Sequence, residues 1–196
     1  MHFHFQKELI LENDRTHLSP LQLTDAVKLH PIALKEKDLL LFSPSEIHTE
    51  ELLEKYIQTA LAKKAAQNRY PFLIYDKQFK QFAGSTSFGN IMDTQRRLEI
   101  GWTWIGKKFQ RTGLNRNNKF LMLQYAFEVL GYERVELKTD GKNIQSRTAM
   151  ERMGATFEGA LRSHTIMPAG YRRDTCYYSI LKSEWPAIKE RVFVGY

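Results

Sequence analysis

"RRLEIGWTWIGKKFQRTGLNRNNKFLMLQYAFEVLGYERVELKT", residues 96–139, places two β-rich runs on either side of a helical one. In the first run Leu98, Ile100, Trp102 and Trp104 alternate with Glu99, Gly101 and Thr103. That period predicts a strand with the four apolar side chains on one face and Glu99 on the other. Gly101 inside it marks a bulge or a close approach by another backbone. Phe120, Leu123, Phe127 and Leu130 then recur at helical spacing, Gly131 supplies a C-cap, and "RVELKT" is a compact strand. A strand, helix and strand across residues 97–139 predict a parallel crossover, and with it a mixed α/β sheet.

The flanks agree with that class. Residues 8–30, "ELILENDRTHLSPLQLTDAVKLH", predict a strand pair or an extended segment, followed by a helix with Thr24 as N-cap and Asp25 in its first turn. Thr49 caps a second helix, whose Leu53, Tyr56, Ile57, Ala60 and Leu61 lie on one side and which ends near Asn68. "YPFLIYD" and "QFAGSTSFGN" are extended runs joined by a hairpin. After residue 139 come a helix over "NIQSRTAMERMG", closed by Gly154, and two long strands around Pro168, Ala169 and Gly170. A short terminal helix follows with Ser183 as N-cap. No repeat or low-complexity segment interrupts the chain, so residues 1–196 are expected to form a single domain.

Composition narrows the function. An apolar fraction of 42% with twelve Phe, nine Tyr and three Trp belongs to a folded chain. No apolar run is long enough to cross a bilayer, and "MHFHFQKELILEND" lacks the pattern of a signal peptide, which gives a cytoplasmic address as the expectation. A single cysteine, Cys176, excludes an internal disulfide and thiol-rich metal sites, and the six histidines show no ligand spacing, so no metal is expected. The net charge of +7 favours phosphate-bearing partners. Lys107, Lys108, Arg111, Arg116 and Lys119 form one local group, which suits a compact anion better than a long polyanion, and no nucleic-acid motif is present.

That group surrounds "FQRTGLNRNNKF", residues 109–120, at the entrance of the central helix. The first turn of a helix offers unpaired N–H groups and a partial positive charge, and Gly113 lets a ligand approach the backbone. The stretch therefore reads as a phosphate seat. It is not a P-loop, since no Gly-Lys-Ser/Thr follows, and it lacks the glycine spacing of a dinucleotide fingerprint.

Residues 96–185 resemble the GNAT superfamily of acetyl-CoA-dependent N-acetyltransferases, and within it the RimJ/RimL-like branch of ribosomal-protein acetyltransferases. The family's Gln/Arg-x-x-Gly-x-Gly/Ala signature falls on Gln110, Gly113 and Asn115, with Asn115 where a small residue is usual. "EIGW" at 99–102, the run at 125–162, "RDTCYYSIL" at 173–181 and "EW" at 184–185 are similar to the branch as well. The resemblance implies a GNAT fold, with a splayed central sheet and helices on both faces. Acetyl-CoA would lie between the strand ending at Ile105 and the strand "RVELKT". It further implies that backbone groups around Trp104 and Ile105 meet the pantetheine arm, and that N–H groups of Arg111, Thr112, Gly113, Leu114 and Asn115, with Gln110, hold the pyrophosphate. Arg116 or neighbouring lysines would meet the other phosphate, and Asn143 the pantetheine.

Transfer of an acetyl group to an amine needs a base, because amines are mostly protonated at neutral pH. Glu99 is the candidate; its other reading is an ion pair with Arg96 or Arg97. Many members of the family quench the leaving thiolate with a tyrosine, but the matching position holds Met150, which leaves Ser146 as the substitute whose hydroxyl could hydrogen-bond the sulfur. Ser146 also reads as a first-turn serine bonded to backbone. His164, Tyr171 and Asp174 lie in or beside the late hairpin that borders the acceptor in this fold. The acceptor is then a protein N-terminal α-amine or a small amine such as an amino acid, polyamine or antibiotic; a non-catalytic CoA-binding module is the other class. Homodimers are common in this fold.

Overall fold

A computed structural model describes residues 2–196. The strands β1 (Leu11–Glu12), β2 (Thr16–Pro20), β3 (Arg69–Asp76), β4 (Gln81–Met92), β5 (Arg97–Ile105), β6 (Arg134–Asp140), β7 (Thr156–Ile166) and β8 (Arg172–Leu181) form one sheet in the order β1-β2-β3-β4-β5-β6-β8-β7. The helices are α1 (Ala26–Ala33), α2 (Glu50–Ala65), α3 (Leu114–Gln124), α4 (Ile144–Arg152) and α5 (Trp185–Val192). Among the described residues only β5 and β6 run parallel, joined by the α3 crossover; the other neighbours are antiparallel, including β2 and β3, which α1 and α2 connect. The fold class and the crossover are those the sequence predicts.

Two caps move. Thr24 lies inside a single 3-10 turn, Leu23–Asp25, and the Asp25 carboxylate reaches back to the Gln22 N–H at 2.8 Å, so α1 starts at Ala26. Ser183 precedes α5, and Glu184 occupies the cap, its carboxylate accepting from the Leu181 N–H at 2.8 Å. Thr49 does cap α2, its hydroxyl accepting from the Leu52 N–H at 3.2 Å. After Gln124 the central helix widens into a π turn, Tyr125–Val129, before Gly131 turns the chain at φ +68°.

Register defines the faces. Glu99 pairs with Gly89 on β4 and Glu136 on β6, and Ser87 pairs with Gly101, so these positions share one face. That face carries α2: the buried Arg69 bonds Ser87, and Tyr56 of α2 meets the Trp104 ring edge-on. Phe88 and Leu98 lie on the other face with Met122 of α3, which takes a contact from the Thr86 hydroxyl. Phe120 and Phe127 pack α3 and its extension against Trp185 of α5. Each buried aromatic of this kind contributes roughly 2–3 kcal/mol of transfer free energy.

The alternation expected for β5 fails at one point. Ser85 pairs with Trp104 and Ser87 with Gly101, so Trp102 and Thr103 together oppose Thr86 alone. This is a β-bulge, and Trp102 adopts φ +50° to make it. The extra residue reverses the phase beyond it. Thr103 turns to the α3 face, 2.7 Å from the Thr86 hydroxyl, and Trp104 joins Glu99 on the α2 face. The Trp102 ring lies over Gly89, where a Cβ would sit 2.1 Å from Cζ3. Both tryptophans therefore stand on the side of Glu99, not opposite it. The bulge also parts the two parallel strands. Pairing with β6 ends at Glu99 and Glu136, whereas β6 continues along β8 to Asp140. Leading out of β5, the chain reaches α3 through a loop beside the resulting gap.

Candidate active site

The loop from Gln110 to Gly113 enters α3 with two left-handed residues, Arg111 at φ +59° and Gly113 at φ +89°. Its backbone N–H groups, from Arg111 through Arg116, meet no acceptor among the described residues. Six consecutive free donors at a helix entrance form an anion cradle. A Cβ on Gly113 would have nothing within 4 Å, so the cradle opens outward. Side chains hold it in shape. Gln110 donates from Nε2 to the Ile105 carbonyl at 2.9 Å, the Thr112 hydroxyl donates to the Phe109 carbonyl at 2.7 Å, and Arg15 reaches both Thr112 at 3.1 Å and Asp76 at 2.8 Å. Leu114 is fully buried and pins the first turn.

Asn115 is exposed, and its amide makes no hydrogen bond among the described residues. Arg111 and Arg116 are exposed and free of carboxylate partners among the described residues, with Arg116 beside the Tyr196 ring. The basic group is otherwise smaller than it reads in sequence. Lys107 pairs with Asp38 at 2.7 Å. Lys119 is buried under β5, donating to Thr103 at 2.8 Å, and burial pulls its amine down to about 7 against the attraction of Glu99. It belongs to the sheet interface and not to a surface patch.

Across the gap, Asn143 caps α4, its side-chain oxygen accepting from the Ser146 N–H at 3.0 Å, which leaves its amide nitrogen free of partners among the described residues. Ser146 is half-buried in the first turn, and its hydroxyl is likewise free. Met150 lies further along the helix, packed against the core. Trp104 is buried, and its indole Nε1 has no partner among the described residues, an orphan donor at the end of β5.

Glu99 is 7% exposed. The sequence offers Arg96 or Arg97 as ion-pair partners; instead Arg96 pairs with Glu133, Arg97 with Glu136, and Glu99 with Lys138 at 3.0 Å. Asn90 donates to the same oxygen, Oε2, at 2.6 Å, so Oε1 is left without a partner among the described residues. Gly101 is required beside it, since a Cβ there would come within 2.8 Å of Oε1. Burial pulls the Lys138 amine down, but Glu99 outweighs it and holds Lys138 above its ordinary value. A cleft of about 210 Å³ reaches Lys138, lined by Asn68, Asn90, Ile91, Met92, Arg97 and Lys138.

The hairpin residues form a second polar group. The Tyr171 hydroxyl donates to Asp140 at 2.7 Å, which raises the phenol above its usual range, and His164 meets the Thr175 hydroxyl at 3.0 Å. Asp174 accepts from the Ser163 N–H at 2.7 Å, a structural role. Lys138 and Asn90 are absent from the residues that sequence reasoning singles out. The signal for Lys138 lies in "VELKTD", where Glu136, Lys138 and Asp140 alternate on one face, a stripe legible once β6 is paired with β5. Among the described residues no group of three or more His, Cys, Asp or Glu is placed to hold a metal ion, and no helix is long and apolar enough to cross a membrane.

Comparison with known proteins agrees with this architecture. Residues 15–156, well over half of the chain, match the family model described as Acetyltransferase (GNAT) domain. A Bacillus subtilis (strain 168) protein named "Putative ribosomal N-acetyltransferase YdaF" is 35% identical over 117 residues, which is 60% of this chain and 61% of that one. A GCN5-related N-acetyltransferase from Brucella melitensis superposes with TM-score 0.87 at 29% identity, covering 95% of this chain and 85% of that one. An acetyltransferase structure from T. thermophilus gives TM-score 0.85 at 32% identity over 94% and 95% of the two chains. On this evidence the chain belongs to the GNAT family of acetyltransferases.

Proposed function

We propose that residues 1–196 are a single-domain cytoplasmic enzyme that transfers acetyl from acetyl-CoA directly to a primary amine, the N-terminal α-amine of a protein. The observation that carries the reading is the run of six unpartnered N–H groups from Arg111 to Arg116, beside the gap between β5 and β6. The residues fit the co-substrate: the cradle takes its pyrophosphate, Arg116 its other phosphate, and the Asn143 amide and the backbone of Trp104 and Ile105 its pantetheine arm. When bound, acetyl-CoA supplies an acyl thioester.

Glu99 then serves as the base. Asn90 and Lys138 hold its Oε2, and the free Oε1 takes a proton from the acceptor amine, directly or through one water. Lys138 keeps the carboxylate in place. Ser146, with its hydroxyl free, stands as hydrogen-bond donor toward the sulfur in the absence of a tyrosine at Met150. Much of the rate then comes from holding the amine in place, which can contribute up to about 10 kcal/mol in well-oriented systems.

A protein acceptor is favoured by the likeness to a protein named as a ribosomal N-acetyltransferase. Titration with acetyl-CoA by calorimetry, followed by a turnover screen against peptides with varied N-termini, polyamines, aminoglycosides and amino acids, tests the reading. Binding with release of free CoA on peptides alone is the expected result. No binding at high micromolar acetyl-CoA would remove the co-substrate, and turnover of small amines alone would remove the protein acceptor.

A further inference from the structure

Arg69 opens β3 on the α2 face and is 2% exposed, yet no carboxylate pairs with it among the described residues. A buried guanidinium without a counter-ion is costly unless its donors and its faces are otherwise satisfied. Here the faces are covered by rings. The guanidinium carbon lies 5.1 Å from the centroid of Tyr56 and 4.8 Å from that of Trp102. Its donors grip both flanks of the β5 bulge. Nε donates to the Ser87 hydroxyl at 2.8 Å, and Ser87 pairs with Gly101, the residue just before the bulge. Nη2 donates to the Tyr56 hydroxyl at 2.7 Å, and that hydroxyl donates to the carbonyl of Trp102, the bulged residue, at 3.3 Å.

Trp102 needs such support. Its φ of +50° is a conformation that a bulky residue adopts only when its surroundings impose it. The three residues that follow, Thr103 to Ile105, have no pairing on the β6 side.

From this we infer that Arg69 is a positioning residue. With Tyr56 it clamps the strained Trp102, and so it presents the backbone of Trp104 and Ile105 to the pantetheine arm and thioester of acetyl-CoA. The inference rests on the proposed co-substrate. It acts chiefly on the arm, because Thr112 and Arg15 hold the phosphate cradle away from the bulge, Arg69 makes no contact with it among the described residues, and its one link to β5 is the Gln110 bond to the Ile105 carbonyl.

Two ligands separate the two sites. Acetyl-CoA engages both, whereas adenosine 3′,5′-bisphosphate engages only the phosphate end. Arg69→Met is expected to weaken acetyl-CoA at least tenfold and Tyr56→Phe about threefold by calorimetry, with the bisphosphate unchanged in both. Arg69→Lys, which keeps the charge but not the planar fork, falls between wild type and Arg69→Met. Hydrogen exchange on the unliganded proteins adds a readout independent of binding, with faster exchange confined to residues 101–106. Equal loss of both ligands would mean general destabilisation and overturn the inference, as would unchanged acetyl-CoA affinity in all three variants. Wild-type protein that binds neither ligand would instead remove the co-substrate reading, and this inference with it. Should Arg69→Met fail to fold, Tyr56→Phe, which preserves the ring on the guanidinium, carries the test alone.

Discussion

Replacing Lys119 by methionine is expected to stabilise the protein, by an amount that depends on pH. The amine lies beneath β5 with Thr103 as its hydrogen-bond partner, and Thr86, Met122 and the more distant Glu99 complete its surroundings. Burial draws it from 10.5 to about 7. At roughly 1.4 kcal/mol per tenfold change in proton affinity, that drop corresponds to on the order of 5 kcal/mol. The sign follows from proton counting. Between pH 7 and 10.5 the unfolded chain carries a proton on Lys119 that the folded chain has released, so stability rises with pH through this window. The cost of burying the amine is fully present below pH 7 and absent above 10.5. Methionine fills similar volume with no charge and gives up one hydrogen bond worth about 1 kcal/mol, so the net gain should be roughly 2–4 kcal/mol in acid. Urea denaturation of both proteins at pH 6, 8 and 10 measures it, and the difference should shrink steadily across the series. A gain equal at pH 6 and pH 10, or a variant less stable than wild type at pH 6, would refute the reasoning.

Three further substitutions probe the site. Gly113→Asp puts a carboxylate into the cradle and a Cβ at φ +89°; acetyl-CoA binding should be lost by calorimetry while the fold persists, at a stability cost of about 1–2 kcal/mol. Glu99→Gln should lower kcat by roughly a hundredfold or more and leave acetyl-CoA affinity within about threefold, since the amide keeps the bulk but not the basicity. Unchanged kcat in that variant would take the base away from Glu99. Asn143→Ala removes the oxygen that caps α4 and should cost about 1 kcal/mol in chemical denaturation, together with weaker acetyl-CoA binding; a stability loss without any change in binding would confine Asn143 to the cap.

The crossover was legible because both of its signals are local. A helical period between two strands and a glycine at the helix entrance need no partner to be read, and the structure places β5, α3 and β6 in that order with Gly113 at the N-cap. The faces of β5 were not legible. A period of two extends correctly from Leu98 to Gly101, but the residue that breaks it is a tryptophan, which nothing in the local pattern marks as bulged. Gly101 hints at irregularity, yet the structure gives it a different reason: room for the Glu99 carboxylate. The glycine that makes the bulge workable is Gly89, on the next strand, where the Trp102 ring lies. Partners of Glu99 were hidden in the same way. Arg97, two residues away, does share the face of Glu99, but Glu136 takes its guanidinium, and Lys138 reaches Glu99 through the parallel pairing of Glu99 with Glu136.

The bulge thus sets two features of the site with one extra residue. It parts β5 from β6, which leaves a gap beside the loop that enters α3, and it reverses the phase of the strand, which brings Trp102 and Trp104 to the face of Glu99. Either effect alone would be of little use. A gap with Trp104 on the far face would have no aromatic wall against α2, and a wall without the gap would stand beside a closed ladder. Because a one-residue slip moves every later side chain, the stability of the bulge is inseparable from the geometry of the site. That coupling explains why a buried arginine is kept there. A hydrophobic residue in place of Arg69 could fill the space between Tyr56 and Trp102, but it could not bond Ser87 and the Tyr56 hydroxyl at once, and those two bonds fix the strand on both sides of the strained residue.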